Sequence, residues 1–174
     1  MVTRMKSSLT RWFTLALACL LVPTVLAEIY VTEVGYGHVR RVPDTGTLEA
    51  DEGSIGSGRW VDVEVEFIDT TRRIPAILTH GLSTGVLIEG VPRGENAFRL
   101  EVQHPTFNFP DGRVTESHTE ALTLTNDGDG CYFTFTYFFD MEFERAPGEW
   151  LIQLYHKSEM IYQARFTVYQ PWDA

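Results

Sequence analysis

The chain has 174 residues, 44% of them hydrophobic, and carries 24 acidic against 14 basic side chains for a formal net charge of −10. That length holds one domain with a substantial core. The charge balance excludes nucleic acid and anionic membrane surfaces as expected partners, since both require clustered Lys and Arg.

Residues 1–27 read as a secretory signal peptide. Arg4, Lys6 and Arg11 form a basic segment. Residues 12–21 form an apolar run too short to span a bilayer comfortably, and Val25-Leu26-Ala27 offers a cleavage site. Glu28 becomes the new N-terminus. Pro23 and the small residues after it argue against an uncleaved anchor, so no stable membrane insertion is expected after cleavage. Cys19 is a poor lipidation site, because Ala16 stands where a large apolar residue is needed. Cleavage removes three basic and no acidic side chains, which moves the net charge to −13. The expected location is periplasmic or secreted. Cys131 is then the single cysteine left, and no intramolecular disulfide can form. Its place before an aromatic strand points to a buried thiol, with a reactive or intermolecular thiol as the alternative.

The remainder reads as β-structure. Residues 29–36 form a first candidate strand. Residues 44–58, rich in glycine and acidic side chains, are expected to be a mobile loop. In residues 58–69, Val61, Val63, Val65 and Phe67 alternate with Asp62, Glu64 and Glu66, predicting one long half-buried strand. Residues 74–78, 86–91 and 121–125 are further candidates. Phe98, Leu100 and Val102 alternate with Arg99, Glu101 and Gln103. The strongest pattern puts Phe133, Phe135, Tyr137, Phe139, Met141 and Phe143 on an inner face. Tyr132 and Phe138, on the other face, are the better candidates for a binding surface. Pro147 and Gly148 turn the chain. Trp150, Ile152 and Leu154, then Tyr162, Ala164, Phe166 and Val168, complete a predicted three-stranded meander. No segment of ten residues carries a helical period. Seven or eight strands suggest an antiparallel β-sandwich. One domain is expected over 28–170, with a short tail at 171–174.

Several strings mimic catalytic or metal-binding motifs. Gly81-Leu82-Ser83-Thr84-Gly85 matches G-x-S-x-G, but a nucleophile elbow needs a helix after the serine, and Val86-Leu87-Ile88 reads as a strand. A turn or bend entering that strand is expected instead. Asp44-Thr45-Gly46 resembles an aspartic-protease triplet, but Pro43 precedes it where a burying strand is required. Asn126-Asp127-Gly128-Asp129-Gly130 resembles part of a calcium loop. Its first and twelfth ligand positions fall on Thr125 and Thr136, and a hairpin turn accounts for it better. His38, His80, His104, His118 and His156 show no metal-ligand spacing. His104 and His156 share parity with apolar residues and read as half-buried histidines with hydrogen-bond partners. The ladder Asp62, Glu64, Glu66 reads as a solvated face, which would discourage aggregation at a sheet edge.

Taken together, Thr70-Thr71-Arg72-Arg73-Ile74-Pro75-Ala76, His104-Pro105, Pro147-Gly148-Glu149-Trp150 and Phe166-Thr167-Val168 resemble a bacterial family, domain of unknown function 3859. The resemblance spans residues 29–168. Tyr137, Phe139 and either Glu142 or Glu144 occupy the family's aromatic strand and its late Glu. The segment at 70–76 carries one residue more than the usual form, and Ser83-Thr84-Gly85 replaces a Phe-Gly pair. The resemblance implies an exported, immunoglobulin-like all-β domain and brings no catalytic residues.

The expected function is a non-enzymatic binding or assembly module of the cell envelope. Its partner would be a protein, peptide or glycan; no cofactor, metal or catalytic residue is assigned. The alternatives are a cryptic hydrolase, with a His and an Asp converging on Ser83, and a carbohydrate-binding module using a planar row of exposed aromatics. An uncovered sheet edge would favour strand addition by a partner.

Overall fold

A computed structural model of the protein describes residues 28–49, 54–56, 58–126 and 130–172. The expected signal peptide and Cys19 lie outside the described residues. In chain order the strands are β1 (Tyr30–Arg41), β2 (Thr47–Glu49), β3 (Arg59–Val61), β4 (Val65–Asp69), β5 (Arg73–Pro75), β6 (His80–Glu89), β7 (Ala97–Asn108), β8 (Val114–Thr123), β9 (Cys131–Phe138), β10 (Gly148–His156) and β11 (Glu159–Tyr169). A 3-10 turn, Glu142–Arg145, follows β9. One sheet has the order β4-β1-β6-β9, the second β5-β11-β10-β7-β8, and β2-β3 form a separate small hairpin.

Period-two burial builds the sandwich. Leu82, Val86 and Ile88 of β6 and Phe133 and Phe135 of β9 face Phe98, Leu100 and Val102 of β7 and Ile152 and Leu154 of β10 across one continuous core. Trp150 is fully buried and lies 4.8 Å from the Tyr137 ring and 5.3 Å from the His104 ring. Removing an aromatic side chain of this size from water contributes about 2–3 kcal/mol. Cys131 is buried, as its position suggested. His104 and His156 are buried as well: His104 Nδ1 bonds the Pro105 carbonyl at 2.8 Å, and His156 stacks 5.0 Å from Phe98.

The structure departs from the sequence reading in the connections. Residues 58–69 are two strands in different sheets, broken at Asp62, whose φ is 54°. Val65 and Phe67, expected in the core, are exposed on β4, which lies at a sheet edge. The same edge position makes Glu64 and Glu66 useful guards, and Glu66 pairs with Arg40 of β1. Residues 44–58, expected as a mobile loop, contain β2, and Ile55 is buried in the main core. The final meander is a two-stranded hairpin, β10-β11. β9 belongs to the opposite sheet, and the 3-10 turn carries the chain across. Met141 and Phe143 therefore lie outside the strand. Phe138, expected on an open face, is buried, whereas Tyr132 is exposed. β5, only three residues long, pairs with β11 in parallel, against an otherwise antiparallel pattern. Of residues 121–125, the first three are the end of β8. β8 and β9 belong to different sheets, so they do not form a hairpin with one another; Asn126 and Cys131 join in an isolated antiparallel bridge before β9. Short edge strands such as β2, β3 and β5 raise the total above the seven or eight expected, since three residues are too few to show alternation.

Candidate functional site

A two-sheet sandwich has two open sides, and this chain treats them differently. On one side, β1 and β6 of the first sheet approach β5 and β11 of the second. There Arg72 lies 4.1 Å over the Tyr36 ring and 5.1 Å from Phe166, and its guanidinium meets Glu33 Oε1 at 2.5 Å. The Tyr162 hydroxyl donates to the same Glu33 oxygen at 2.5 Å and shares a hydrogen bond with the Thr84 hydroxyl at 2.5 Å. Burial alone would raise the Glu33 carboxyl, but the Tyr162 and Arg72 bonds hold it below the usual carboxylate range. Burial, with Glu33 accepting its proton, pushes the Tyr162 phenol up to about 12. This cluster is a seal: a charge-assisted network that converges on the Glu33 carboxylate.

The opposite side lies between the terminal strands β9 and β8 and is left as a cleft of about 470 Å³. Six consecutive residues of β9, Phe133 to Phe138, line it. Adjacent strand residues point to opposite faces, so a wall formed by both parities is the edge of the strand itself. Across the cleft, β8 contributes only alternate residues, His118, Glu120 and Leu122, and therefore presents a side-chain face. Leu100, Phe133 and Phe135 make the floor apolar.

The β2-β3 hairpin closes one end. Arg59 bonds Glu120 at 2.7 Å, and Trp60 Nε1 donates to Asp140 at 2.5 Å. Arg41 lies 4.1 Å over the Trp60 ring and 3.7 Å from the Asp140 carboxylate. Behind the hairpin, the buried Glu144 accepts the Asp140 and Met141 N–H groups at 2.8 and 2.9 Å. The Tyr137 hydroxyl faces Glu144. Burial drives its pKa well above the ordinary value, and the Glu144 and Asp140 charges push it the same way. Gly56 is required here, because a Cβ at that position would collide with the Tyr137 hydroxyl and the Glu144 carboxylate. Of the two glutamates that the resemblance left open, Glu144 is the inward one. Glu142 is solvent-exposed and pairs with Arg145 at 2.7 Å.

The motif residues are not brought together. Ser83 sits in the middle of β6, not in a turn entering it, and its hydroxyl bonds Thr136 Oγ1 at 2.8 Å. Gly81 is explained by packing, since a Cβ there would collide with the Tyr137 carbonyl. Asp44 occupies an exposed turn at φ 62°. The Asn126 side chain donates to the Val91 carbonyl at 3.1 Å, and residues 127–129 lie outside the described residues. Among the described residues no group of three or more His, Cys, Asp or Glu side chains could hold a metal ion. One pairing was invisible in the sequence. His38 Nε2 and His80 Nδ1 share a hydrogen bond of 2.7 Å, although 42 residues separate them.

The comparisons agree with this architecture. A crystal structure of an immunoglobulin-like protein from Pseudomonas aeruginosa matches with a TM-score of 0.56 at 19% identity, over 83% of this chain and 99% of that one. A β-glucosidase from Listeria innocua gives a TM-score of 0.36 at 13% identity, over 81% of this chain but 16% of that one, and carries no argument. No curated protein matches the chain. The family model described as "Domain of unknown function (DUF3859)" matches residues 48–168, from β2 to the end of β11, and the chain belongs to that family.

Proposed function

We propose that the protein is an exported, non-enzymatic binding module of the cell envelope and that the β8/β9 cleft is its binding site. The carrying observation is the contrast between the two open sides. One is sealed by Arg72, Glu33, Tyr162 and Thr84. The other leaves a strand edge and an apolar floor beside charged side chains. Binding sites combine such a concave apolar surface with a few placed polar groups. Export rests on residues 1–27, with their basic start, apolar run and small-residue cleavage site.

Two measurements test the reading. Mass spectrometry of the protein from an envelope fraction is expected to find Glu28 at the N-terminus. A photo-crosslinking residue at Thr134, inside the cleft, is expected to trap a partner in intact cells. The same residue at Asp111, in the distant β7-β8 connection, is expected to trap none. Equal trapping at both positions, or none at either, removes the cleft from consideration.

A further inference from the structure

Resting on the cleft as the binding site, we infer that its occupant is an extended cationic–apolar polypeptide segment that adds to β9 as a further strand. The Phe139 N–H donates to the His80 carbonyl of β6 at 2.7 Å. In an antiparallel ladder, inward and outward backbone groups alternate residue by residue. Continuing the register from that bond, residues 137, 135 and 133 direct their N–H and C=O groups to β6. Phe138, Thr136, Thr134 and Tyr132 direct theirs away from it. β9 ends its sheet, and among the described residues no strand takes up those groups beyond the isolated bridge of Cys131 with Asn126 at its start. An incoming segment of about six residues, at roughly 3.4 Å each, matches this length.

The chemistry of the occupant follows from the walls. Its alternate side chains on one face meet Phe133, Phe135, Leu100 and Leu122. Those beside β8 meet Glu120 and, two residues earlier on the same strand face, His118, in a chain of net charge −10. The chain already carries an example of the pairing: Arg59, on β3, places its guanidinium 2.7 Å from Glu120. A cationic residue of the partner finds the same carboxylate from the opposite end of the cleft. An acidic segment meets repulsion, and a glycan supplies no backbone ladder.

The test uses an acetylated, amidated (Val-Lys)4 peptide and reads the backbone amide resonances of the purified protein by NMR. Binding is expected to shift the Thr134 and Thr136 amides. N-methylation of alternate peptide residues, which removes ladder donors without changing charge, is expected to weaken binding about tenfold or more. The (Val-Glu)4 peptide is expected not to bind. Glu120→Gln is expected to weaken (Val-Lys)4 several-fold and to flatten its salt dependence. Thr134→Pro removes one outward N–H at a position where an edge strand tolerates proline, and is expected to abolish binding. The N-methyl comparison on the unaltered protein holds even if that variant folds poorly. Equal affinity for the parent and N-methylated peptides overturns the proposal, as does preference for (Val-Glu)4 or an absence of shifts along β9. Should photo-crosslinking at Thr134 still trap a partner while (Val-Lys)4 fails, the cleft stands as a binding site and strand addition falls. Failure of both removes both.

Discussion

At the scale of single residues, burial separates groups that look alike in the sequence. Glu142 and Glu144 are two positions apart, yet only Glu144 is enclosed and bonded to two backbone N–H groups. Glu144→Ala is expected to cost about 2–4 kcal/mol in denaturant unfolding, because two donors beside a buried phenol lose their acceptor. Glu142→Ala, which loses one exposed ion pair, is expected to stay within about 0.5 kcal/mol. The His38–His80 pair gives a pH effect of definite sign. Burial lowers both imidazoles below the ordinary 6.5; the His80 ring lowers His38 further and Arg40 lowers His80, against a raising effect of Asp69 on His38. The unfolded chain therefore takes up protons first. Stability is fully present above pH 6.5 and is lost as the pH falls from there toward the depressed native values. His104, lowered chiefly by burial, acts in the same direction. Thermal unfolding is expected to show a falling melting temperature between pH 7 and pH 5. The double variant His38→Gln/His80→Gln is expected to flatten that fall, and an unchanged slope would count against the pair as its source.

At the scale of elements, the approach of β9 to β6 explains the string that most resembled a catalytic motif. A Cβ on Gly81 collides with the Tyr137 carbonyl, whereas a Cβ on Gly85 finds its nearest neighbour at an ordinary 3.5 Å. Gly81→Ala is thus expected to destabilise by about 2 kcal/mol or more, and Gly85→Ala by under about 1 kcal/mol, compared by chemical denaturation. Both glycines of an elbow would instead be needed by a tight turn. The small hairpin β2-β3 depends on a few side-chain contacts, chiefly Trp60 to Asp140 and Arg59 to Glu120. Trp60→Phe keeps the ring but loses its donor. Hydrogen exchange is expected to quicken in residues 47–49 and 59–61 while β6 and β10 keep their protection.

At the scale of the whole molecule, the asymmetry between the sealed and open sides sets where stability and recognition reside. Tyr162→Phe removes the bonds to Glu33 and Thr84, leaving Arg72 to hold the Glu33 carboxylate at the seal. It is expected to cost about 1–3 kcal/mol. Glu120→Gln, on the open side, is expected to change stability by under about 1 kcal/mol, since its ion pair with Arg59 is largely exposed. A reversed ranking in equilibrium unfolding would place the stabilising network on the wrong side of the sandwich.

The amino-acid sequence by itself determined the layers. Alternation in residues 98–102, 131–135 and 150–154 assigns each side chain to a face, because a strand's period is two whatever lies beside it. It determined the family too, since the turn residues around Pro147 and the Ile74-Pro75 segment are local. Alternation cannot say which sheet a strand joins: by pattern alone β9 groups with β10, and Val65 and Phe67 face inward. It could not locate the cleft either. A free edge is a missing neighbour, and only the order of strands in the two sheets decides which neighbour is missing. The contacts that define both open sides join residues far apart in the chain, Arg59 with Glu120, Trp60 with Asp140 and Glu33 with Tyr162. No local pattern encodes such pairs; the packing of one sheet on the other brings them within bonding distance.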